Sequence, residues 1–316
     1  MSGSRIRIGL LGCGTVGRGV VQLLEREGDR IRDRHGVELA IERILVRDLG
    51  KSRPGVDRHL LTTRATDVLD ANCDLIVEVV GGVHCAGAYV RRAIANGRHV
   101  VTANKALLAE HGRDLFAAAG RRGVSIGFEA SVCGGIPVIR AIRDGLAADT
   151  IESVRGILNG TSNFILTRIE SDGLSFEDAL QLAQERGFAE ADPSLDVDGE
   201  DAAQKLRILA GLAFDEPIVR GSIAGIRGVT KDDVNRALDR GFVIRHVATA
   251  QRVPGGIELR VAPEELPEND PLSFVRDEYN AVVIRGRAVG DVTLIGRGAG
   301  AGPTAMAVVS DVIAVS

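Results

Sequence analysis

A β-rich run from Arg5 to Leu11 leads straight into Gly12-Cys13-Gly14-Thr15-Val16-Gly17, and an apolar-faced stretch, Arg18 to Arg26, follows it. Few local patterns restrict a fold as tightly as strand, G-x-G-x-x-G, helix. The first glycine permits a tight turn, the second lets backbone approach a pyrophosphate, and the third lets helix and strand pack closely. The anion then sits at a helix N-terminus, where unpaired N–H groups and the helix dipole favour negative charge. A glycine-rich turn without a ligand is the competing reading, and the flanking strand and helix argue against it.

The alternation continues. Further strands are expected at Val37 to Val46, Asp74 to Val80 and His99 to Thr102, with helices at Ala86 to Asn96 and Lys105 to Arg121. This grammar predicts a doubly wound parallel sheet of the Rossmann type. After Gly134-Gly135 it changes: a helix over Pro137 to Leu146 and a strand over Ile151 to Leu158 open a different unit. Helices at Ser162 to Glu170, Ser175 to Glu185 and Gly199 to Leu212, with strands at Gly241 to Arg252 and Ile257 to Val261, predict a second, α+β domain. Tyr279 to Ile284 and Gly290 to Ile295 read as strands, and a last apolar helix, Thr304 to Val312, is expected to return to the first domain.

Composition narrows the function. A formal net charge of -4, with no basic stripe, argues against a nucleic-acid binder. The four cysteines, Cys13, Cys73, Cys85 and Cys133, lack metal or disulfide spacing, which fits a reducing compartment. The opening residues carry no signal-peptide pattern and no run is long enough to span a bilayer, so a cytoplasmic protein without membrane contact is expected.

Four places carry chemistry. At the end of the second strand, Arg47 and Asp48 compete for the ribose of a dinucleotide: an acid accepts the 2'-hydroxyl of NAD, whereas an arginine receives the 2'-phosphate of NADP. Lys51 and Arg53 add positive charge there, which favours NADP; plain surface charge is the alternative. Val79-Val80-Gly81-Gly82 and Val100-Val101-Thr102-Ala103-Asn104-Lys105 close the third and fourth strands, and ligands of open α/β sheets lie beyond such carboxyl ends. Lys105 is therefore either a reactive lysine or an exposed helix-starting one.

Between Glu190 and Asp201 lie six acids, followed by Lys205. Either Glu190, Asp196 and Asp201 hold a substrate ammonium while Lys205 faces a carbonyl or carboxylate, or Asp198 caps a helix with Asp201 at its third position and Asp201–Lys205 is a surface pair worth ~0.3–0.5 kcal/mol. Finally, Phe128 to Pro137 contains a glycine pair that exposes carbonyls able to bind a hard cation. Its Cys133 is either an inert thiol or the nucleophile of a thioester route.

Val-Val-Thr-Ala-Asn-Lys-Ala-Leu-Leu-Ala at 100–109, Gly-Ile-Leu-Asn-Gly-Thr-Ser-Asn-Phe-Ile-Leu at 156–166 and the Glu190 to Lys205 segment resemble, in order, the signatures of homoserine dehydrogenases. The resemblance runs from about Ile6 to about Val312. It implies interconversion of L-aspartate 4-semialdehyde and L-homoserine with NADP or NAD, in threonine and methionine biosynthesis. It also implies a homodimer with a nucleotide domain at 1–136 plus 303–316, a dimerisation region at 137–150 plus 271–302 and a catalytic domain at 151–270. Lys105 and Lys205 become the catalytic lysines. Glu190, Asp196, Asp201, Gly160 and Thr161 line the substrate site, and Gly12, Gly14, Thr15, Val16, Gly17, Gly81, Thr102, Lys105 and Gly302 contact the cofactor. A monovalent cation such as Na+ is implied at Glu129, Val132, Gly134 and Ile136. Two departures stand out: His84-Cys85 replaces the usual acid and proline after Gly81-Gly82, and no regulatory ACT domain follows Val312, so inhibition by threonine through one is not expected. The rival readings are a dehydrogenase of another amino acid or semialdehyde, and a non-catalytic NAD(P)-binding sensor.

Overall fold

The computed structural model describes residues 4–315. They fall into two compact units, residues 4–135 with 300–315 and residues 136–299.

In the first unit, β1 (Ser4–Leu11) is followed by α1 (Thr15–His35), β2 (Val37–Leu45), β3 (Leu61–Thr62), α2 (Thr66–Leu69), β4 (Leu75–Glu78), α3 (His84–Ala95), β5 (His99–Thr102), α4 (Lys105–Arg122) and β6 (Ile126–Gly127). The six strands are parallel in the order β3-β2-β1-β4-β5-β6. Chain order reverses at β1/β4, the switch point where this fold places its ligands. Both faces of the sheet are buried. One packs Ile6, Ile8 and Leu10 against α1, and the other packs Leu11, Ile76 and Val100 against α3 and α4 residues such as Val90, Ile94 and Leu107.

The second unit opens with α5 (Val138–Arg140), which runs on into a wider π turn over Ala141–Gly145. There follow β7 (Ile151–Ile157), α6 (Gly160–Asp172), α7 (Phe176–Glu185), α8 (Ser194–Val197), α9 (Glu200–Ala213), β8 (Ile218–Ile223), α10 (Lys231–Leu238), β9 (Phe242–Val253), β10 (Gly256–Pro267), β11 (Tyr279–Gly286) and β12 (Gly290–Arg297). The strands form one mixed sheet, β12-β11-β7-β9-β10-β8, antiparallel except for the edge pair β10/β8. Helices α6, α7 and α10 and the turn of α8 pack Phe164, Ile165, Ala183, Val197 and Val234 on one side of it, with Ile244 of β9.

Helix α11 (Ala301–Val315) then rejoins the first unit, where Ala305, Val308, Val309 and Val312 complete the core between α1 and the sheet. Gly19 of α1 makes that contact possible, because a Cβ there would stand 2.9 Å from the carbonyl oxygen of Ala301. Several boundaries differ from the pattern reading. Helix α1 starts at Thr15 rather than Arg18, β4 stops at Glu78 rather than Val80, and α11 begins at Ala301 rather than Thr304.

A charge pair is buried in the second unit. Arg245 of β9 is 0% exposed and Glu170 of α6 has a side chain 6% exposed; the two are salt-bridged. The guanidinium also donates to the carbonyls of Val275 (3.1 Å) and Ser273 (2.9 Å), so every nitrogen has a partner.

Candidate functional site

The glycine turn has the shape its motif requires. Gly12 holds φ +103°, in the left-handed region. A Cβ on Gly17 would lie 2.2 Å from the Gly12 carbonyl oxygen, whereas one on Gly14 would meet nothing within 4 Å. The turn is therefore closed on its own side and open on the other, a cradle that a pyrophosphate fits. Thr15 and Val16 begin α1, whose N-cap Gly14 offers no side chain to cap the free N–H groups. Burial pushes the Cys13 thiol up, against the charges of Arg53 and Arg18, which puts two cations beside the turn. Gly17→Ala is expected to weaken NADPH binding by roughly 10–100-fold, the equivalent of ~1–3 kcal/mol of overpacking, in a fluorescence titration.

Past β2, Arg47 and Lys51 are exposed. Arg53 is committed to the loop itself, since its Nη1 donates to the carbonyls of Asp48 and Lys51, both at 2.9 Å. Asp48 accepts the Gly50 N–H at 2.7 Å, so its carboxylate shapes the same turn.

Gly81 and Gly82 both take left-handed φ values, +78° and +75°, directly after β4. Thr102 ends β5 and is fully buried. Asn104 caps α4 by accepting the Leu107 N–H at 3.1 Å, and Lys105 is the first residue of that helix. His84 begins α3, and Cys85 follows it on the surface. Gly302 is the second residue of α11.

The second unit gathers two of the predicted substrate residues, a predicted catalytic lysine and one residue that sequence reasoning missed. Asn159, the N-cap of α6, donates from Nδ2 to Asp196 (2.7 Å) and to Asp201 (2.8 Å), while its Oδ1 accepts the Ser162 N–H at 2.7 Å. Lys205 Nζ donates to the same Asp201 oxygen and to the Leu158 carbonyl, both at 2.7 Å. With side chains 12% and 10% exposed, Lys205 and Asp201 are a buried pair, not the surface pair of the alternative reading. Burial pushes the Asp196 carboxyl above its ordinary range, opposed by the Asn159 hydrogen bond.

The capping alternative fails as well. Helix α9 begins at Glu200 with Gly199 as N-cap at φ +91°, so Asp201 is its second residue. Asp198 instead ends α8 and is salt-bridged to Arg227. Gly199 is required there because a Cβ would stand 3.1 Å from Ile223 and 3.3 Å from the His246 ring, on a backbone that side chains rarely adopt. Gly160 is equally constrained, its Cβ position lying 2.6 Å from the Glu278 carbonyl oxygen. One predicted residue stands apart: Glu190 is exposed and takes no part in the Asn159 group. The Thr161 hydroxyl donates to the Phe188 carbonyl at 2.7 Å, and its side chain also hydrogen-bonds Asp196.

In the segment after β6, Glu129 lies in a short 3-10 turn and its N–H donates to Asp311 at 2.7 Å. Its carbonyl accepts the Val132 N–H, and that of Ile136 accepts the Val138 N–H. Each carbonyl oxygen has a second lone pair, so neither bond prevents ligation. Cys133 is 1% exposed and sits at φ +48°, turning the backbone between Val132 and Gly134. Among the described residues, no helix is long and apolar enough to cross a membrane, and no three His, Cys, Asp or Glu side chains form a metal cluster.

Residues 137–313 match the family model for homoserine dehydrogenase, and residues 12–129 match the model for its NAD-binding domain. The homoserine dehydrogenase of Bacillus subtilis is 44% identical over 314 residues, 98% of this chain and 72% of that protein. A crystal structure of a homoserine dehydrogenase from Thiobacillus denitrificans superposes with a TM-score of 0.95 at 46% identity, over 100% of this chain and 74% of that one. A hyperthermophilic archaeal homoserine dehydrogenase in complex with NADPH superposes with a TM-score of 0.85 at 28% identity, over 98% and 97% of the two chains. The open glycine cradle, the acid-lined lysine and these matches point the same way: the chain is a nicotinamide-dependent oxidoreductase and belongs to the homoserine dehydrogenase family.

Proposed function

We propose that the protein interconverts L-homoserine and L-aspartate 4-semialdehyde, with Lys105 and Lys205 acting at the reacting oxygen and NADP preferred over NAD. The observation that carries the roles is the buried group around Asn159, which fixes Asp196, Asp201 and Lys205 against one another. Two carboxylates beside an ammonium suit a substrate with an amino group at one end and an oxygen that changes charge at the other. Lys205 stabilises the developing alkoxide and Asp201 keeps it in place; Asp196 and Glu190 attract the substrate ammonium. Gly160 and Thr161 shape the adjoining helix start. In the nucleotide unit, Lys105 shares the oxygen's proton or fixes substrate charge, beside the turn of Gly81 and Thr102. The nicotinamide, when bound, supplies and receives the hydride.

Gly12, Gly14, Thr15, Val16 and Gly17 hold the pyrophosphate, and Gly302 flanks them from the last helix. Arg47, with Lys51, reads the 2'-phosphate, while Arg53 shapes the loop that presents them. Arg47→Ala is expected to raise the KM for NADP roughly tenfold or more, the scale of a lost charge-assisted hydrogen bond of ~1.5–3 kcal/mol, and to leave the KM for NAD nearly unchanged. Equal effects on both cofactors would remove the preference. A monovalent cation such as Na+ is proposed on the carbonyls of Val132, Gly134 and Ile136 with Glu129. The working form proposed is a cytoplasmic homodimer, with residues 137–150 and 271–302 as its contact region, serving threonine and methionine biosynthesis. The test is purified protein with L-homoserine and either NAD or NADP, followed by the appearance of reduced nicotinamide; no reduction with either cofactor refutes the reading.

A further inference from the structure

Glu78, the last residue of β4, is 0% exposed and no part of the chemistry so far requires it. Its carboxylate is nonetheless fully engaged. Oε1 accepts the N–H groups of Val80 (2.9 Å) and Gly81 (3.0 Å), and Oε2 accepts the hydroxyl of Thr102 at 2.7 Å. Thr102 lies opposite Glu78 in the β4/β5 ladder, and its hydroxyl oxygen accepts the Asn104 N–H at 3.0 Å. Asn104 then donates from Nδ2 to the Gly82 carbonyl at 2.7 Å and caps the helix that Lys105 begins. One buried acid thus ties together two segments that are 24 residues apart in sequence.

The tie is needed because neither segment holds its own shape. Two consecutive left-handed glycines have the largest conformational freedom the chain offers, and a Cβ on either would meet nothing within 4 Å. Packing therefore does not fix the Gly81-Gly82 turn; the hydrogen bonds from Val80 and Gly81 to Glu78 and from Asn104 to Gly82 do. A carboxylate suits this better than an amide, since both of its oxygens accept and its three partners, the N–H groups of Val80 and Gly81 and the Thr102 hydroxyl, all donate.

We propose that Glu78 is a positioning residue that sets the Gly81-Gly82 turn and the start of the Lys105 helix, and so builds the nicotinamide end of the site before the cofactor binds. This rests on the reading that the turn and Lys105 receive the nicotinamide. The test compares Glu78→Gln and Thr102→Val with the wild-type full chain, measuring Kd for NADPH, Kd for ADP-ribose, and kcat and KM for homoserine. ADP-ribose carries the adenosine and pyrophosphate but no nicotinamide. Both variants should bind ADP-ribose within twofold of wild type, bind NADPH at least fivefold more weakly, and lose kcat by tenfold or more with a smaller change in the KM for homoserine. Thr102→Val breaks the tie from the other side with an isosteric side chain, so it answers the question even where Glu78→Gln does not fold. Equal weakening of ADP-ribose and NADPH, or unchanged NADPH affinity with normal kcat, would overturn the inference. The binding comparison needs no substrate, so it reads Glu78 separately from the assignment of homoserine and of the lysine roles.

Discussion

Lys205→Ala and Lys105→Ala are each expected to lower kcat for homoserine oxidation by roughly 10²–10⁴, the range of a lost acid-base or oxyanion contact, with cofactor affinity nearly intact. The case for Lys205 is geometric. Its ammonium is held at 2.7 Å by both Asp201 and the Leu158 carbonyl, so little orientation is lost on reaching the transition state. Asp201 is itself fixed by Asn159, and the same Asn159 amide nitrogen reaches Asp196. Lys105 is placed differently, on a helix start that Asn104 caps. The Lys205 variant leaves Asp201 without its cation and should melt lower, which is why kcat must be compared well below the melting range. Near-normal kcat in both variants would dismiss the proposed chemistry.

A second large effect concerns stability. Glu170→Ala is expected to destabilise the protein by about 3–5 kcal/mol, the cost of leaving a buried charge without its partner. Arg245 has no route to solvent, and its remaining hydrogen bonds to Val275 and Ser273 are to neutral carbonyls. Glu170 also binds Arg276 at 2.7 Å, but that arginine is half exposed and contributes little by itself. Paired replacement of Glu170 and Arg245 by apolar residues of similar size should recover much of the loss, because the penalty lies in the orphaned charge and not in the missing bond. Urea unfolding of the single and paired variants measures both. A loss below about 1 kcal/mol in Glu170→Ala would mean that water reaches Arg245 in solution.

The nucleotide fold was legible because its evidence is local. Strand, glycines and helix are contiguous, and β5 stands at His99–Thr102, where the pattern puts it. Edge strand β8 left no such trace. All six of its residues are exposed, so no alternation of apolar and polar side chains marks it, and it exists through pairing with β10. The same limit explains Asn159 and Glu78. Each has a partner 24 to 42 residues away besides its near ones, and no spacing rule joins positions so distant. Glu190, Asp196 and Asp201 looked alike in sequence because all three are acids near one lysine. The tertiary fold separates them, burying Asp201, half-burying Asp196 and leaving Glu190 on the surface.

The return of α11 to the first unit has a consequence for the order of synthesis. Residues 136–299 are continuous and can pack as soon as they emerge from the ribosome, whereas the nucleotide unit waits for residues 301–315 to close its core beside α1. Until then Ile6, Ile8 and Leu10 lack the apolar cover that Val308 and Val312 provide. The part of the chain translated first is therefore finished last, and the newborn sheet is the surface that folding helpers would have to shield.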